Sequence, residues 1–407
     1  MRLLSLFAIA VTTLLSSCAD PSTVTPEVIL PGPWRIAFEL KNAELPINAF
    51  IFYANGTPIL GITNGSDTIN AQTVSFSRDS LEFLLMPSGS ILKAHIDSPE
   101  LISGMWTTDQ NTDHKMPFTA EHGKPFRFTS SKSTLTVAPM YEILFVPESG
   151  VPYPAVLMLQ NTQGHLTGTF LTESGDYRYL EGDIYNNHIH LSTFDGIHAF
   201  LFEARIDGDS LREGQFYSSS NTPIPWSGKI TNKMSLQSPE HITTITDRAT
   251  TFDFRLPNQD GDTVTWIDLV PDRKVILVEF MGSWCPNCMD ANQALSRLKA
   301  KYPDQIDIIP IAFELTDSQA EADVRIRRLI PENEQITYLF GGYASKTRIA
   351  SLFPILSNFS SFPTILFIDK NRQIRRIYTG FYGPGTGSFY HDFMSSSESL
   401  LDELVAE

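Results

Sequence analysis

The period of the apolar residues changes once along this chain, near residue 250, and that change restricts it to two kinds of folded unit. From about Trp34 to about Thr231 apolar and polar residues alternate: Leu92, Ala94 and Ile96 interleave with Lys93, His95 and Asp97. Phe200, Phe202, Ala204 and Ile206 interleave in the same way with Leu201, Glu203, Arg205 and Asp207. Period two marks strands with one buried face, and Asn55-Gly56, Asn64-Gly65 and Asp207-Gly208 are hairpin-type turn pairs. A polar connector, Pro239 to Thr251, follows. Beyond it Val275 to Phe280 form an apolar strand broken only by Glu279, and a helix begins at Cys285 with Ala291, Leu295 and Leu298 on one face. Ile306 to Phe313 read as a buried strand, Ser318 to Ile330 as a helix with Asp317 near its N-cap and Pro331 as its stop. A helix from Lys346 to Phe353, capped by Ser345, strands Ile365 to Ile368 and Ile374 to Tyr378, and a helix from Tyr390 to Val405 complete the pattern. Strands separated by helices imply parallel crossovers, and the last strand pair a hairpin.

The β-rich part repeats itself. Ala94, Ile96, Asp97, Leu101 and Gly104 recur at constant spacing as Ala204, Ile206, Asp207, Leu211 and Gly214, and Trp34, Pro46 and Ala49 align with Tyr141, Pro152 and Ala155. The expected fold class is therefore multidomain. A duplicated all-β domain over 34–238, with halves at about 34–138 and 139–232, forms a sandwich or a barrel. An α/β domain over 249–407 follows. Two sheets of one sandwich, or a single barrel closed by both halves, would each limit exposed strand edges.

At 407 residues the chain exceeds one hydrophobic core. Its net charge of −16, with no basic run, excludes nucleic acid and acidic membrane surfaces as electrostatic partners. Arg2 precedes the apolar run Leu3 to Leu15, too short to span a bilayer, and the run ends in Leu15-Ser16-Ser17-Cys18. This segment resembles a bacterial lipobox. The resemblance implies a signal peptide over 1–17, lipidation of Cys18, a polar tether over 18–33, and the lipid as the membrane anchor.

Three cysteines are present, and with Cys18 assigned to the lipid the other two form one C-x-x-C, Cys285-Pro286-Asn287-Cys288. A pair so isolated serves chemistry or metal rather than stapling. Four-ligand zinc is excluded because no second ligand pair exists. His188 and His190 share one strand face, with His198 in the same stretch, and read as solvent-facing residues rather than a metal site. No metal or cofactor is called for. At a helix start, Cys285 faces unpaired N–H groups and the positive end of the helix dipole, which favour its thiolate and make it the nucleophile. Pro286 suits the first turn, and Cys288, one turn on, is placed to resolve a mixed disulfide. The residues before Cys285, Met281-Gly282-Ser283-Trp284, lack the Pro and Thr that precede a peroxidatic cysteine.

The order of elements, the Trp284-Cys285-Pro286-Asn287-Cys288 motif and Phe362-Pro363-Thr364 before a late strand resemble the thioredoxin fold. With the lipoprotein signal, the chain is most similar to the TlpA/ResA-type thioredoxin-like lipoproteins with a fused N-terminal β-domain. The resemblance implies that Glu279 accepts the proton of the resolving cysteine. It also implies that Pro363 is the cis-proline beside the disulfide, that Phe362 contacts substrate through its main chain, and that Trp284 shields the nucleophile. Glu314 is a candidate second carboxylate. Asn287 and Ala291 depart from the family's proline and glutamate, and proline first resembles the oxidant DsbA. These residues tune the couple between about −270 and about −120 mV, so reduction is the expected direction but is left open. The expected function is a thiol-disulfide oxidoreductase of the bacterial cell envelope, periplasm-facing, exchanging with protein thiols and an upstream redox donor. The alternative is a partner-binding lipoprotein whose β-domain is the working part.

Overall fold

The computed structural model describes residues 28–108, 115–218, 222–246, 251–270, 274–329 and 337–407. Cys18, the signal segment and the first part of the tether lie outside them.

Each half of the β-rich region closes on itself, so there are two barrels where sequence left a choice between paired sheets and one shared barrel. In the first, strand Gly32–Glu39 pairs with both Glu44–Ala54 and Lys115–His122, closing an antiparallel ring. In the second, Tyr153–Thr162 pairs with both Met140–Phe145 and His165–Thr172, and Ile224–Ile230 pairs with Met140–Phe145. The repeated residues fall on corresponding strands: Ala94 and Ile96 on Ser90–Ser98, Ala204 and Ile206 on Ala199–Asp207. Gly104 and Gly214 show why the repeat holds. Each lies opposite a large ring on the next strand, Phe118 and Trp226, and a Cβ at either would collide with that ring.

Both interiors are filled by side chains, as expected for eight strands. The first encloses only about 20 Å³ among residues such as Trp34, Phe83 and Phe118. The second is packed with rings: Phe202 stacks on Phe216 at 4.3 Å and on Phe170 at 4.5 Å, with Phe145 and Trp226 around them. The buried guanidinium of Arg127, on the segment between the barrels, joins them by donating to the Ser192 carbonyl (2.9 Å), Asn48 Oδ1 (3.0 Å) and Glu181 Oε2 (3.1 Å).

The connector expected at Pro239 to Thr251 is partly docked. It forms a short helix, Pro239–Ile242, and a strand, Thr244–Ile245, paired with Leu356–Ser357. Buried Thr243 accepts a hydrogen bond from Thr379 Oγ1 at 2.7 Å, and Glu240 pairs with Arg376 at 2.7 Å.

After it comes an α/β unit with a five-stranded sheet. The strand order is Leu339–Tyr343, Ile306–Glu314, Val275–Met281, Thr364–Ile368, Ile374–Thr379. The first three run parallel, and the last two form the anticipated hairpin, of which Thr364–Ile368 pairs antiparallel with the central strand. Helix Pro286–Lys301 and the terminal helix Ser388–Ala406 pack on one face through Ala291, Leu295, Phe393 and Leu401. Helix Gln319–Arg327 is capped by Ser318, not Asp317, because the Ser318 hydroxyl accepts from the Glu321 N–H; Pro331 lies outside the described residues. The edge strand Leu339–Tyr343 was not anticipated, since Gly341 and Gly342 depress strand propensity. Gly341 is required there by the Phe313 ring, which a Cβ would strike.

Candidate active site

The central strand, the first long helix and the loop before Thr364 converge on the two cysteines. Cys285 is the N-cap of Pro286–Lys301, Pro286 occupies the first turn, and Cys285 Sγ accepts the Cys288 N–H at 3.2 Å. The two are joined as a disulfide, with Cα atoms 5.2 Å apart. Both cysteines are buried, but Cys285 retains 6% exposure and lines a cleft, whereas Cys288 is fully enclosed.

Glu279 lies at the middle of the central strand, fully buried between Pro310 and Ile365 of the flanking strands. By the alternation of the strand it shares a face with Val275, Leu277 and Met281, the face that packs on Ala291 and Cys288. Neither carboxyl oxygen has a hydrogen-bond partner among the described residues. Burial therefore pushes its pKa up to about 8. A carboxyl group poised there is close to the ordinary range of a thiol, about 8.5, which suits proton exchange with Cys288.

The Phe362–Pro363 peptide is cis. Phe362 packs edge-on against Trp284, ring centroids 5.5 Å apart, and lines the same cleft as Cys285. Trp284 is fixed by donating its indole N–H to the Phe313 carbonyl at 3.0 Å. Glu314 does stand at the site, as a brace for the loop: its carboxylate accepts the Ser283 N–H (2.7 Å) and hydroxyl (2.6 Å), immediately before Trp284 and Cys285.

What sequence reasoning missed is the second barrel's share of this site. Residues Thr172 to Tyr179 of that barrel reach over the start of the cysteine-bearing helix. Asn287 Nδ2, inside the C-x-x-C, donates to the carbonyls of Asp176 and Phe381, both at 3.1 Å, and lies 3.3 Å from Asp176 Oδ1. Asp176 in turn accepts from the N–H groups of Gly383 (2.7 Å) and Arg178 (2.8 Å). Its pKa rises to about 7 because it is buried and stands near Asp290, against the pull of those donors. Arg178 grips Asp290 of the helix through two parallel hydrogen bonds of 2.9 and 2.8 Å. The signal available in sequence was Asp290, a charged residue in the helix two positions after Cys288; nothing in sequence named its partner.

The three histidines do not converge. His190 pairs with Glu203 at 3.0 Å and His198 with Asp195 at 3.1 Å, and no group of three or more candidate ligands gathers among the described residues.

No family model and no curated protein matches this chain. Solved structures similar to it include a putative thiol:disulfide interchange protein DsbE from Chlorobium tepidum, 20% identical with a TM-score of 0.28 over 38% of this chain and 97% of that one. A secreted thiol-disulfide isomerase from Corynebacterium glutamicum is 16% identical with a TM-score of 0.30, over 42% of this chain and 98% of that one. An exposed lipoprotein thioredoxin from Streptococcus pneumoniae is 20% identical with a TM-score of 0.25, over 35% and 99%.

Proposed function

We propose that this protein is a thiol-disulfide oxidoreductase that exchanges disulfides with protein thiols through Cys285 and Cys288. The observation that carries the reading is the arrangement around the motif: a helix-capping Cys285 that lines a cleft, a fully buried Cys288 one turn on, and an unpaired buried carboxyl beneath the same helix.

In the reducing direction the Cys285 thiolate attacks a partner disulfide. One partner sulfur leaves as thiolate, and a mixed disulfide forms. The Cys288 thiol gives its proton to the Glu279 carboxylate and attacks Cys285 Sγ. The Cys285–Cys288 bond closes, the second partner sulfur leaves, and the proton held by Glu279 passes to solvent or to that leaving group. An upstream donor must then return two electrons. Run backward, the same steps oxidise a dithiol.

The envelope location, the lipid at Cys18 and the periplasm-facing orientation rest on the sequence Leu15-Ser16-Ser17-Cys18 and belong to this proposal. The rival, a binding lipoprotein working through its barrels, is disfavoured by their filled interiors and by the second barrel's engagement with the cysteine helix. Reduction of insulin, or of a model disulfide, by the full chain tests the reading. Turnover lost in Cys285→Ala supports it, and equal inactivity of the two proteins refutes it. The potential of the couple, titrated against a glutathione buffer, fixes the direction.

A further inference from the structure

The exposure left to Cys285 opens into a cleft of about 470 Å³ that two units of the chain build together. Trp284 and Phe362 come from the α/β side; Tyr177, His198 and Phe200 come from the second barrel. The barrel wall is held in place. His198 stacks on Phe200 at 4.9 Å and its Nδ1 is 3.1 Å from Asp195 Oδ2, while Tyr177 meets Phe200 edge-on at 5.4 Å. The whole wall is tied to the helix of Cys285 through Arg178–Asp290 and Asn287–Asp176.

This geometry bears on what reaches the sulfur. Docking of a folded surface takes about 800 Å² from each partner, which requires open ground around the reacting atom. Here one side of that ground is occupied by the barrel. A cleft within the range of roughly 300–1,000 Å³ holds one drug-sized group, and this one sets the rings of Tyr177, Phe200, Trp284, Phe359 and Phe362 among polar residues. The group that fits is a cysteine on an extended stretch of chain, with the side chain next to it lying against Phe200 and His198.

Resting on the oxidoreductase reading, we propose that the second barrel supplies half of the substrate subsite. Its substrate is a locally unfolded polypeptide segment whose cysteine is flanked by a bulky apolar or aromatic residue, not the surface of a folded domain. The exchange balances as before. Cys285 thiolate and a peptide mixed disulfide give the Cys285–peptide disulfide and a released thiolate, and Cys288 then expels the peptide thiol.

The test uses the reduced full chain and three glutathione mixed disulfides: a short peptide with phenylalanine beside its cysteine, the same peptide with glycine there, and a folded protein bearing one surface cysteine. Wild type is expected to favour the phenylalanine peptide over the glycine peptide by about tenfold in kcat/KM, the scale on which apolar subsites discriminate, and to react most slowly with the folded protein. Phe200→Ala and His198→Ala should each bring the peptide ratio close to one. The ratio is indifferent to the fraction of correctly folded variant, so partial misfolding does not mimic this result. A wild-type ratio near one, a ratio that survives both substitutions, or equal rates on peptide and folded protein each overturns the subsite. Hydroxyethyl disulfide reports separately on the chemistry. If wild type reduces it no faster than Cys285→Ala, the oxidoreductase reading itself fails; if it reduces it well but shows no peptide preference, only the subsite fails.

Discussion

Arg178 and Asp290 form a bidentate ion pair, Nε to Oδ2 at 2.9 Å and Nη2 to Oδ1 at 2.8 Å, that joins the second β-barrel to the helix carrying both cysteines. Both side chains are largely buried, and Arg178 also stands 3.7 Å from Asp67 of the first barrel. One guanidinium thus bridges three parts of the chain. Removing one partner of a buried pair leaves the other charged in a dry site, at a cost of about 3–5 kcal/mol. Arg178→Ala is expected to lower unfolding stability on that scale, and Arg178→Lys to fall between, because an ammonium cannot reproduce the two-pronged geometry. Thermal or denaturant unfolding, monitored separately through each unit's tryptophans, checks both. A change below about 1 kcal/mol would mean that the pair is solvated in solution.

The docking of the barrel on the motif has its own sensitive point. Gly175 has φ +129, and a Cβ there would stand 2.7 Å from Asn287 Nδ2 and 3.1 Å from the Phe381 carbonyl. Gly175→Ala should therefore cost about 1–3 kcal/mol through backbone strain and lift the barrel from the helix. Asn287→Ala should cost about as much, by removing the amide that donates to the Asp176 and Phe381 carbonyls and leaving the latter only the Asp176 N–H at 3.2 Å. Both variants are expected to raise the alkylation rate of reduced Cys285, since the same contacts form one wall of its cleft. Stability lost with no change in alkylation would separate docking from access.

The two cysteines should differ in reactivity as they differ in burial. With the disulfide reduced, iodoacetamide is expected to modify Cys285 and spare Cys288, since the first lines the cleft and the second is fully buried. The pH midpoint of that reaction should lie below the ordinary thiol value of about 8.5, because the helix N-terminus favours the thiolate. Cys288→Ser should then accumulate a mixed disulfide with a partner, and Cys285→Ser should not. Mass spectrometry of intact protein distinguishes these species, and modification of Cys288 at the rate of Cys285 would contradict the assigned roles.

The sequence made the chemistry legible and left the architecture around it hidden, for physical reasons visible in particular residues. Cys285, Cys288, Glu279, Trp284 and Phe362-Pro363 lie on local patterns: an apolar strand, a helix start, a pre-strand proline. The structure brings them to one face or one cleft. Period two likewise revealed strands and their duplication, through pairs such as Gly104 and Gly214. Closure is a matter of long-range register, such as Gly32–Glu39 meeting Lys115–His122, and alternation is the same in a sandwich and in a barrel. The same limit concealed the barrel–helix contact. Asn287 looked like a departure within the motif, but its amide is committed to Asp176 and Phe381, residues far from it in sequence.

Glu279 gives the prediction with the clearest sign. Its pKa stands at about 8 in the folded protein, raised from 4.5 by burial alone. The folded protein therefore keeps a proton that the unfolded chain releases above about pH 4.5. The stabilising contribution of the protonated group is complete below that pH and is lost as pH rises through about 8. Between those limits unfolding free energy should fall by up to about 1.4 kcal/mol per pH unit from this group. Glu279→Gln keeps the shape and removes the charge. The variant should match wild type near pH 4.5 and exceed it in stability by a few kcal/mol at pH 8 to 9. Resolution of the mixed disulfide should slow in the same variant, because Cys288 loses the group that takes its proton. Unfolding midpoints of the oxidised proteins from pH 4.5 to 9, with single-turnover release of a trapped peptide, measure the two effects. A variant that is more stable yet slower identifies a carboxyl kept for its chemistry at the expense of the fold, and one that is unchanged in both would remove Glu279 from the mechanism.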